Sequence, residues 1–199
     1  MGGLWQLLSS GADTAQSIPL TRFDTAELTT LINTDGFFMQ NAQMFDSSLF
    51  RISPAESRSM DPQQRILLES CHSVLAVHSA QTGSSDRGIG LFVGIMNTED
   101  WMVQSDSPYM ATGRGGAAAA GRVSFVLDLH GPCCNIETLC SSSLVALDVA
   151  YLNILLAQCL ACVVSGVNLV LQPRTSIFLS TVGAMSPVGR CAFVLLVCE

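Results

Sequence analysis

The feature that most limits the possible folds of this chain is an uncharged, strongly apolar stretch at residues 149–173. A stretch of this length is long enough to cross a bilayer. Asn153, Gln158 and Asn168 interrupt it, and no basic residues flank it to set an orientation in a membrane. A buried helix followed by a buried strand fits the same residues. Two interpretations therefore stay open, a membrane span or the interior of an α/β core.

Composition narrows the class of protein. Hydrophobic residues make up 49% of the chain and charged residues 13%, which excludes an intrinsically disordered chain. All nine cationic residues are arginines and form no cluster, so a nucleic-acid partner is not expected. The N-terminus lacks the cationic region and the long apolar run of a secretory signal, so we expect a cytoplasmic protein. Several of its eight cysteines lie inside apolar runs and are then best interpreted as small buried hydrophobes in a reducing compartment.

Helix and strand signals alternate along the chain. Ser-Pro-Ala-Glu at 53–56 is typical of a helix start, and Asp-Pro at 61–62 of a second one. The apolar, β-branched residues 88–95 and 161–171 predict two buried strands. Residues 111–129 fit a strand or a helix. The alternation favours a layered α/β fold.

Two of the helices can be described in more detail. Residues 4–10 predict a short helix that ends at Gly11. In the helix that starts at 61–62, five positions approximate one helical face. These positions are Ile66, Leu67, Ser70, Val74 and Val77.

The candidate site lies where a short extended segment, residues 133–138, gives way to a helix that begins near Cys140 and runs to about residue 158. A helix N-terminus favours a thiolate, and its backbone N–H groups can hold an oxyanion. A cysteine nucleophile on a strand-to-helix turn suits acyl transfer. A cysteine that merely happens to start a helix fits the spacing equally well. Both interpretations stay open on spacing alone.

Other patterns carry less weight. Residues 113–118 match the dinucleotide pattern G-x-G-x-x-A, but no clear strand precedes them. Cys159 and Cys162 have C-x-x-C spacing, yet no second ligand pair suggests a zinc site. Because this pair lies within an apolar run, buried packing is the favoured interpretation.

Two motifs together carry a family resemblance. Residues 140–144 read Cys-Ser-Ser-Ser-Leu, and residues 60–65 read Met-Asp-Pro-Gln-Gln-Arg. Further matches follow in order at 90–94, 165–169 and 185–191. Over about residues 2–193 the chain resembles the β-ketoacyl synthases, the condensing domains of polyketide and fatty-acid synthases. Residues 194–199 form a divergent apolar tail outside this resemblance.

The resemblance implies a fold and an activity. The fold is the thiolase-like α/β fold with αβαβα layers, here its N-terminal half, from a domain that is homodimeric when complete. Cys140 is implied as the nucleophile, with its own backbone N–H helping to form the oxyanion hole. It would take an acyl chain from the phosphopantetheine of an acyl carrier protein and then condense it with a decarboxylating extender. No tightly bound cofactor and no metal are implied, and the membrane span is no longer favoured.

The chain also departs from the family. The family uses two further catalytic histidines, and His72, His78 and His130 match neither of their motifs. The family's first core strand is also missing before Gly2. We therefore expect that this chain alone does not complete the condensation. An alternative is an inactive fragment or pseudo-synthase that only binds a partner subunit. A cysteine-based thioester hydrolase would need a histidine after Cys140, and none follows.

Overall fold

The computed structural model describes residues 2–25, 28, 33–83, 87–96 and 107–186. The chain divides into two compact units, one formed by Asn41–Leu169 and the other by Met1–Gln40 with Val170–Glu199. Of the sequence-based expectations, the tail at 194–199 and residues 187–191 of the last family match lie outside the described residues. Among the described residues, no helix has both the length and the apolar character needed to cross a bilayer.

The larger unit is built on a parallel sheet of three strands. Strand β3 (Gly90–Ile95) lies in the centre, between β4 (Cys133–Ile136) and β5 (Cys162–Val167). Leu91 pairs with Cys133 on one side and with Val163 on the other. All six residues of β3 are buried, as expected for an apolar strand in a parallel sheet that is covered on both faces.

Helices cover the two faces of this sheet. Side chains of a strand alternate between the faces, so Leu91 and Val93 of β3 point to one side and Phe92 to the other. The first face packs against α3 (Pro62–Thr82) and α5 (Ala118–Val126), and the second against α6 (Ser142–Leu155). The expected layered α/β fold is confirmed. Two short helices, α2 (Pro54–Ser59) and α4 (Met110–Arg114), complete this unit.

The predicted helix starts are confirmed by their caps. The Ser53 hydroxyl accepts a hydrogen bond from the Glu56 N–H at 3.2 Å at the start of α2. Asp61 Oδ1 accepts one from the Gln63 N–H at 2.7 Å at the start of α3. These bonds satisfy backbone donors that have no partner inside the helix.

The apolar positions in the second half of α3 are exposed. Val74 is 56% exposed and Val77 41% exposed. The buried residues lie nearer the helix start and include two glutamines, Gln63 and Gln64, beside Leu67. The helix buries its polar first turn because those amides find specific partners. An apolar pattern cannot reveal such partners.

Two other segments differ from the sequence-based expectation. Residues 111–129, which fitted either element type, contain the helices α4 and α5. The predicted strand at 161–171 ends earlier, at Val167, and a helix not anticipated from the sequence, α7 (Pro173–Thr181), follows in the other unit.

The described residues of the smaller unit include two helices and one pair of short strands. Helix α1 (Gly2–Ser10) ends where Gly11 adopts a left-handed φ of 61°, which confirms the predicted helix and its stop. Strands β1 (Gln16–Ser17) and β2 (Asp35–Gly36) form a two-residue antiparallel pair. Helix α7 also belongs to this unit.

Candidate active site

The candidate nucleophile lies at the carboxyl edge of the parallel sheet. Strand β4 ends at Ile136, α6 begins at Ser142, and Cys140 lies in the turn between them. In parallel α/β sheets, ligands bind outside the carboxyl ends of the strands. Cys140 is exposed. Within the residues that the structure describes, nothing hydrogen-bonds its thiol. The turn therefore presents this sulfur to solvent at the edge where substrates reach such sheets.

The turn before Cys140 has an unusual backbone. Leu139 adopts a φ of 57°, in the left-handed region that residues with a side chain seldom enter. Such conformations cost about 1–3 kcal/mol and persist where their surroundings impose them. Here the left-handed backbone at Leu139 lies in the turn that leads from strand β4 to helix α6 and contains Cys140.

Serine hydroxyls impose this turn. The Ser142 Oγ donates to the Leu139 carbonyl at 2.6 Å and accepts from the Thr138 N–H at 2.8 Å. The Ser141 Oγ donates to the Thr138 carbonyl at 2.7 Å. Ser142 is 5% exposed, so its hydroxyl is shielded from water. The two serines that follow Cys140 in the Cys-Ser-Ser-Ser motif thus hold the backbone on either side of the sulfur.

Two strand glycines let α6 begin close to the sheet. A Cβ on Gly94 of β3 would lie 2.6 Å from the Ser143 amide nitrogen. A Cβ on Gly166 of β5 would lie 2.8 Å from the Ser143 Cβ. Real Cβ atoms do not approach other atoms so closely, so any side chain at either position would push α6 outward. Gly94 and Gly166, which belong to two of the segments that match the family, therefore determine how closely the turn with Cys140 approaches the sheet.

The first backbone donors of α6 are engaged within the turn. The Ser141 N–H donates to the Thr138 carbonyl at 3.4 Å, and the Ser142 N–H donates to the Leu139 carbonyl at 3.1 Å. The expectation that Cys140 itself begins the helix is thus off by two residues. Cys140 precedes the N-cap residue, Ser141, instead of occupying the first turn.

The outer face of α6 next to Cys140 is apolar and exposed. Leu144, Leu147 and Tyr151 lie along it, with Asp148 between them. They line an open groove of about 670 Å³. Apolar patches of this kind on soluble proteins mark surfaces that contact something else.

The structure does not bring the histidines to Cys140. His130 precedes β4 at the opposite edge of the sheet, and its Nε2 lies 2.8 Å from Asp128 Oδ1. His72 lies in α3, with its ring edge-on to Phe50 at a centroid distance of 5.7 Å. His78 lies further along the same helix. His72 and His130 are therefore best interpreted as surface residues.

The motif at 60–65 has a structural role, because its glutamine side chains bind backbone groups of other segments. The Gln63 Oε1 accepts from the Leu169 N–H at 3.1 Å, which links the start of α3 to the chain just after β5. Arg65 donates through Nε at 3.2 Å and Nη2 at 2.7 Å to the Met60 carbonyl. Burial lowers the pKa of Arg65, and the charge of Asp61 opposes that shift. Asp61 is therefore an electrostatic neighbour of Arg65, while the hydrogen bonds of Arg65 go to a backbone carbonyl.

The same motif also forms hydrogen bonds with helices α4 and α5. The Gln64 Nε2 donates to the Thr112 carbonyl at 3.1 Å, and its Oε1 accepts from Arg122 Nε at 2.7 Å. Arg122 also pairs with Glu56. A Cβ on Gly113 would lie 2.0 Å from the Ser59 carbonyl oxygen, so this glycine serves close packing. A helix, α4, holds Gly113, so the dinucleotide pattern lacks the strand that it requires.

Comparisons with known proteins agree with this geometry. The family model "Beta-ketoacyl synthase, N-terminal domain" matches residues 2–194. The reducing polyketide synthase ppsB of Aspergillus oryzae is 36% identical over 94% of this chain and 8% of its own length. The spectinabilin polyketide synthase system protein NorC of Streptomyces orinoci is 36% identical over 94% of this chain and 9% of its own length. The chain thus spans less than a tenth of either relative.

Solved structures are similar as well. An oxazolomycin ketosynthase domain from Streptomyces albus superposes with a TM-score of 0.81 at 28% identity, covering 96% of this chain and 35% of that one. The module 6 ketosynthase of the bacillaene synthase from Bacillus subtilis gives a TM-score of 0.81 at 29% identity, covering 94% of this chain and 32% of that one. The expected thiolase-like fold is confirmed by these matches.

Proposed function

This chain belongs to the β-ketoacyl synthase family, and from that premise we propose that Cys140 is the nucleophile that accepts an acyl chain from a phosphopantetheine thioester. The observation that carries this proposal is the placement of the residue. Cys140 is an exposed cysteine on a strand-to-helix turn at the carboxyl edge of a parallel sheet. We further propose that residues 1–193 form the N-terminal part of such a domain.

The acyl transfer involves one bond made and one broken. The Cys140 sulfur, as a thiolate, adds to the thioester carbonyl, and the pantetheine sulfur leaves with the electrons of the old C–S bond. The proton lost by Cys140 ends on the pantetheine thiol. Negative charge collects on the carbonyl oxygen during this step, and a backbone N–H that is not engaged within the turn is the kind of donor suited to stabilise it. The backbone N–H of Cys140 is the proposed first donor.

We assign the condensation to the complete domain. There, the acyl group on Cys140 would be attacked by the carbanion that a malonyl-type extender releases with carbon dioxide. That step needs groups that stabilise an enolate, and the family uses two histidines for it. His130 lies at the sheet edge opposite Cys140, and none of the three histidines fits either family motif. We therefore expect these 199 residues alone to stop at the acyl-enzyme.

The proposed partner is an acyl carrier protein, which would deliver the acyl group on its phosphopantetheine arm. Homodimerisation is proposed for the complete domain. The exposed position of Cys140 suits delivery by a tethered arm, because a thioester on a flexible arm needs open access to the sulfur.

Mass spectrometry of the acylated protein tests the proposal. The folded chain is incubated with an acyl-pantetheine thioester, and the peptide that contains Cys140 is examined for the acyl mass. We expect the acyl group on Cys140, no acylation in Cys140→Ala, and unchanged acylation in Cys133→Ser, which removes another exposed cysteine. An unmodified Cys140 in folded protein, or equal labelling of Cys133, would contradict the assignment.

A further inference from the structure

The C-x-x-C pair lies at the end of the sheet opposite Cys140. Helix α6 ends at Leu155, and a short connection leads to Cys162, the first residue of β5. The Sγ atoms of Cys159 and Cys162 are 3.2 Å apart. A disulfide needs a separation of about 2.05 Å, so closure requires the sulfurs to approach by only about 1.2 Å. The acyl-transfer proposal makes no use of this pair.

The neighbouring backbone leaves room for the two sulfurs to meet. A Cβ on Gly90 would lie 3.1 Å from the Cys162 Sγ and 3.2 Å from the Cys159 Sγ, so a side chain there would crowd both sulfurs. The Cys162 thiol donates to the Ala150 carbonyl of α6 at 3.7 Å. Cys159 is 6% exposed. The pair is therefore held in contact by three elements, α6, β3 and β5, before any bond forms.

From this placement we propose that Cys159 and Cys162 are a redox-active pair that closes a reversible disulfide when the oxidant is a peroxide. The oxidant has to be small because Cys159 is buried, and hydrogen peroxide meets that condition. The disulfide ties the connection after α6 to the first residue of β5. This inference stands apart from the proposed acyl transfer and does not depend on it.

The oxidation balances as a two-step transfer of two electrons. The Cys159 sulfur attacks one oxygen of the peroxide, the O–O bond breaks, and a sulfenic acid and water form. The Cys162 sulfur then attacks the Cys159 sulfur, the S–O bond breaks, and a second water leaves. The two thiol protons end in the two waters. A dithiol such as dithiothreitol returns both electrons by thiol–disulfide exchange.

The order of the two sulfurs follows from their surroundings. Burial raises the pKa of Cys162 to about 12, and its hydrogen bond with Cys159 adds to the shift. Cys162 therefore keeps its proton at neutral pH, in its hydrogen bond to the Ala150 carbonyl. We assign the attack on the peroxide to Cys159 and the resolving step to Cys162.

Peptide mapping after peroxide treatment tests the proposal on the intact folded chain. The oxidised protein is unfolded in the presence of an alkylating agent and digested. The mass of the peptide that carries both cysteines is then measured by mass spectrometry. We expect this peptide to lose two hydrogen atoms and to take up no alkyl group, and dithiothreitol to restore two alkylation sites. Both cysteines alkylated after peroxide treatment, or oxidised separately to sulfinic acids, would overturn the proposal.

Variants sharpen the result. In Cys162→Ala the disulfide should be lost, and a sulfenic acid should stay on Cys159, where dimedone traps it once the oxidised protein is unfolded. Cys133→Ser is the matched control, because it removes an exposed cysteine of another strand and should leave the disulfide intact. A dimedone adduct that forms on Cys162 in Cys159→Ala as fast as on Cys159 in Cys162→Ala would contradict the assigned order. The wild-type map decides the proposal even if a variant fails to fold.

Discussion

Removing the Ser142 hydroxyl should destabilise the chain by loosening the turn that presents Cys140. This hydroxyl makes two hydrogen bonds at once, to the Leu139 carbonyl at 2.6 Å and from the Thr138 N–H at 2.8 Å. Ser142→Ala removes both bonds and fills no new space. The left-handed backbone at Leu139 then loses the contact that holds it.

The size of the effect follows from where the abandoned groups lie. A buried group left without its partner costs about 1–3 kcal/mol. Ser142 is buried, but Thr138 and Leu139 are exposed, so water can replace part of each lost bond. We therefore expect a loss of about 1–2 kcal/mol in the free energy of unfolding, at the lower end of that range. For a chain of this size the midpoint of thermal unfolding should fall by about 2–8 °C.

Urea unfolding of the matched pair Ser142→Ala and Ser143→Ala measures this effect. Ser143 is exposed and has the same chemistry one residue later, so its replacement should change the free energy of unfolding by less than about 0.5 kcal/mol. The rate at which iodoacetamide alkylates Cys140 provides a second readout of the turn. Equal stability losses in the two variants would refute the assignment of the turn to the Ser142 hydroxyl.

Three further predictions follow from the same structure. Gly94→Ala should destabilise the chain by about 1–3 kcal/mol in urea unfolding, because the added Cβ meets the backbone of α6. Gly121→Ala is the control, because open space surrounds that position, and it should not destabilise the chain in this way. Equal losses of stability in the two variants would contradict this prediction. Hydrogen bonds from the Ser48 side chain and nearby backbone lower the pKa of Asp46 below 3.8. Because the ionised form is favoured in the folded state, Asp46→Asn should lower stability at neutral pH, and the difference should fade as the pH falls below that value; a pH-independent difference would contradict it. Burial raises the pKa of Cys71 to about 11, so iodoacetamide at neutral pH should label it only after unfolding, and labelling in the native state would count against its burial.

Much of the fold follows from signals that act over a few residues. The caps at Ser53 and Asp61 and the stop at Gly11 depend on groups one to four positions away, and each is where the sequence predicts it. The fully apolar strand β3 is also predicted from its composition. The position of Cys140 between a strand and a helix belongs to the same class, because both flanking elements have local signatures.

Other features of the fold depend on contacts between distant segments. The burial of the first turn of α3 is decided by two distant partners. Gln64 donates to the Thr112 carbonyl, 48 residues away in the sequence, and Gln63 accepts from the Leu169 N–H, 106 residues away. Periodicity treats such glutamines as surface residues. Nothing within α3 itself distinguishes a glutamine with a buried partner from one in water.

By itself, the sequence determined where most elements begin, which strands are buried, to which family the chain belongs and which cysteine is the candidate nucleophile. Only the tertiary structure decided that Ser142 holds the turn, that Gly94 and Gly166 let α6 approach the sheet, and that two sulfurs meet beside Gly90. The physical reason is how far apart in the sequence the interacting groups lie. Caps and periodicity arise from neighbours along the chain, whereas close approach between a strand and a helix depends on atoms that only folding brings together.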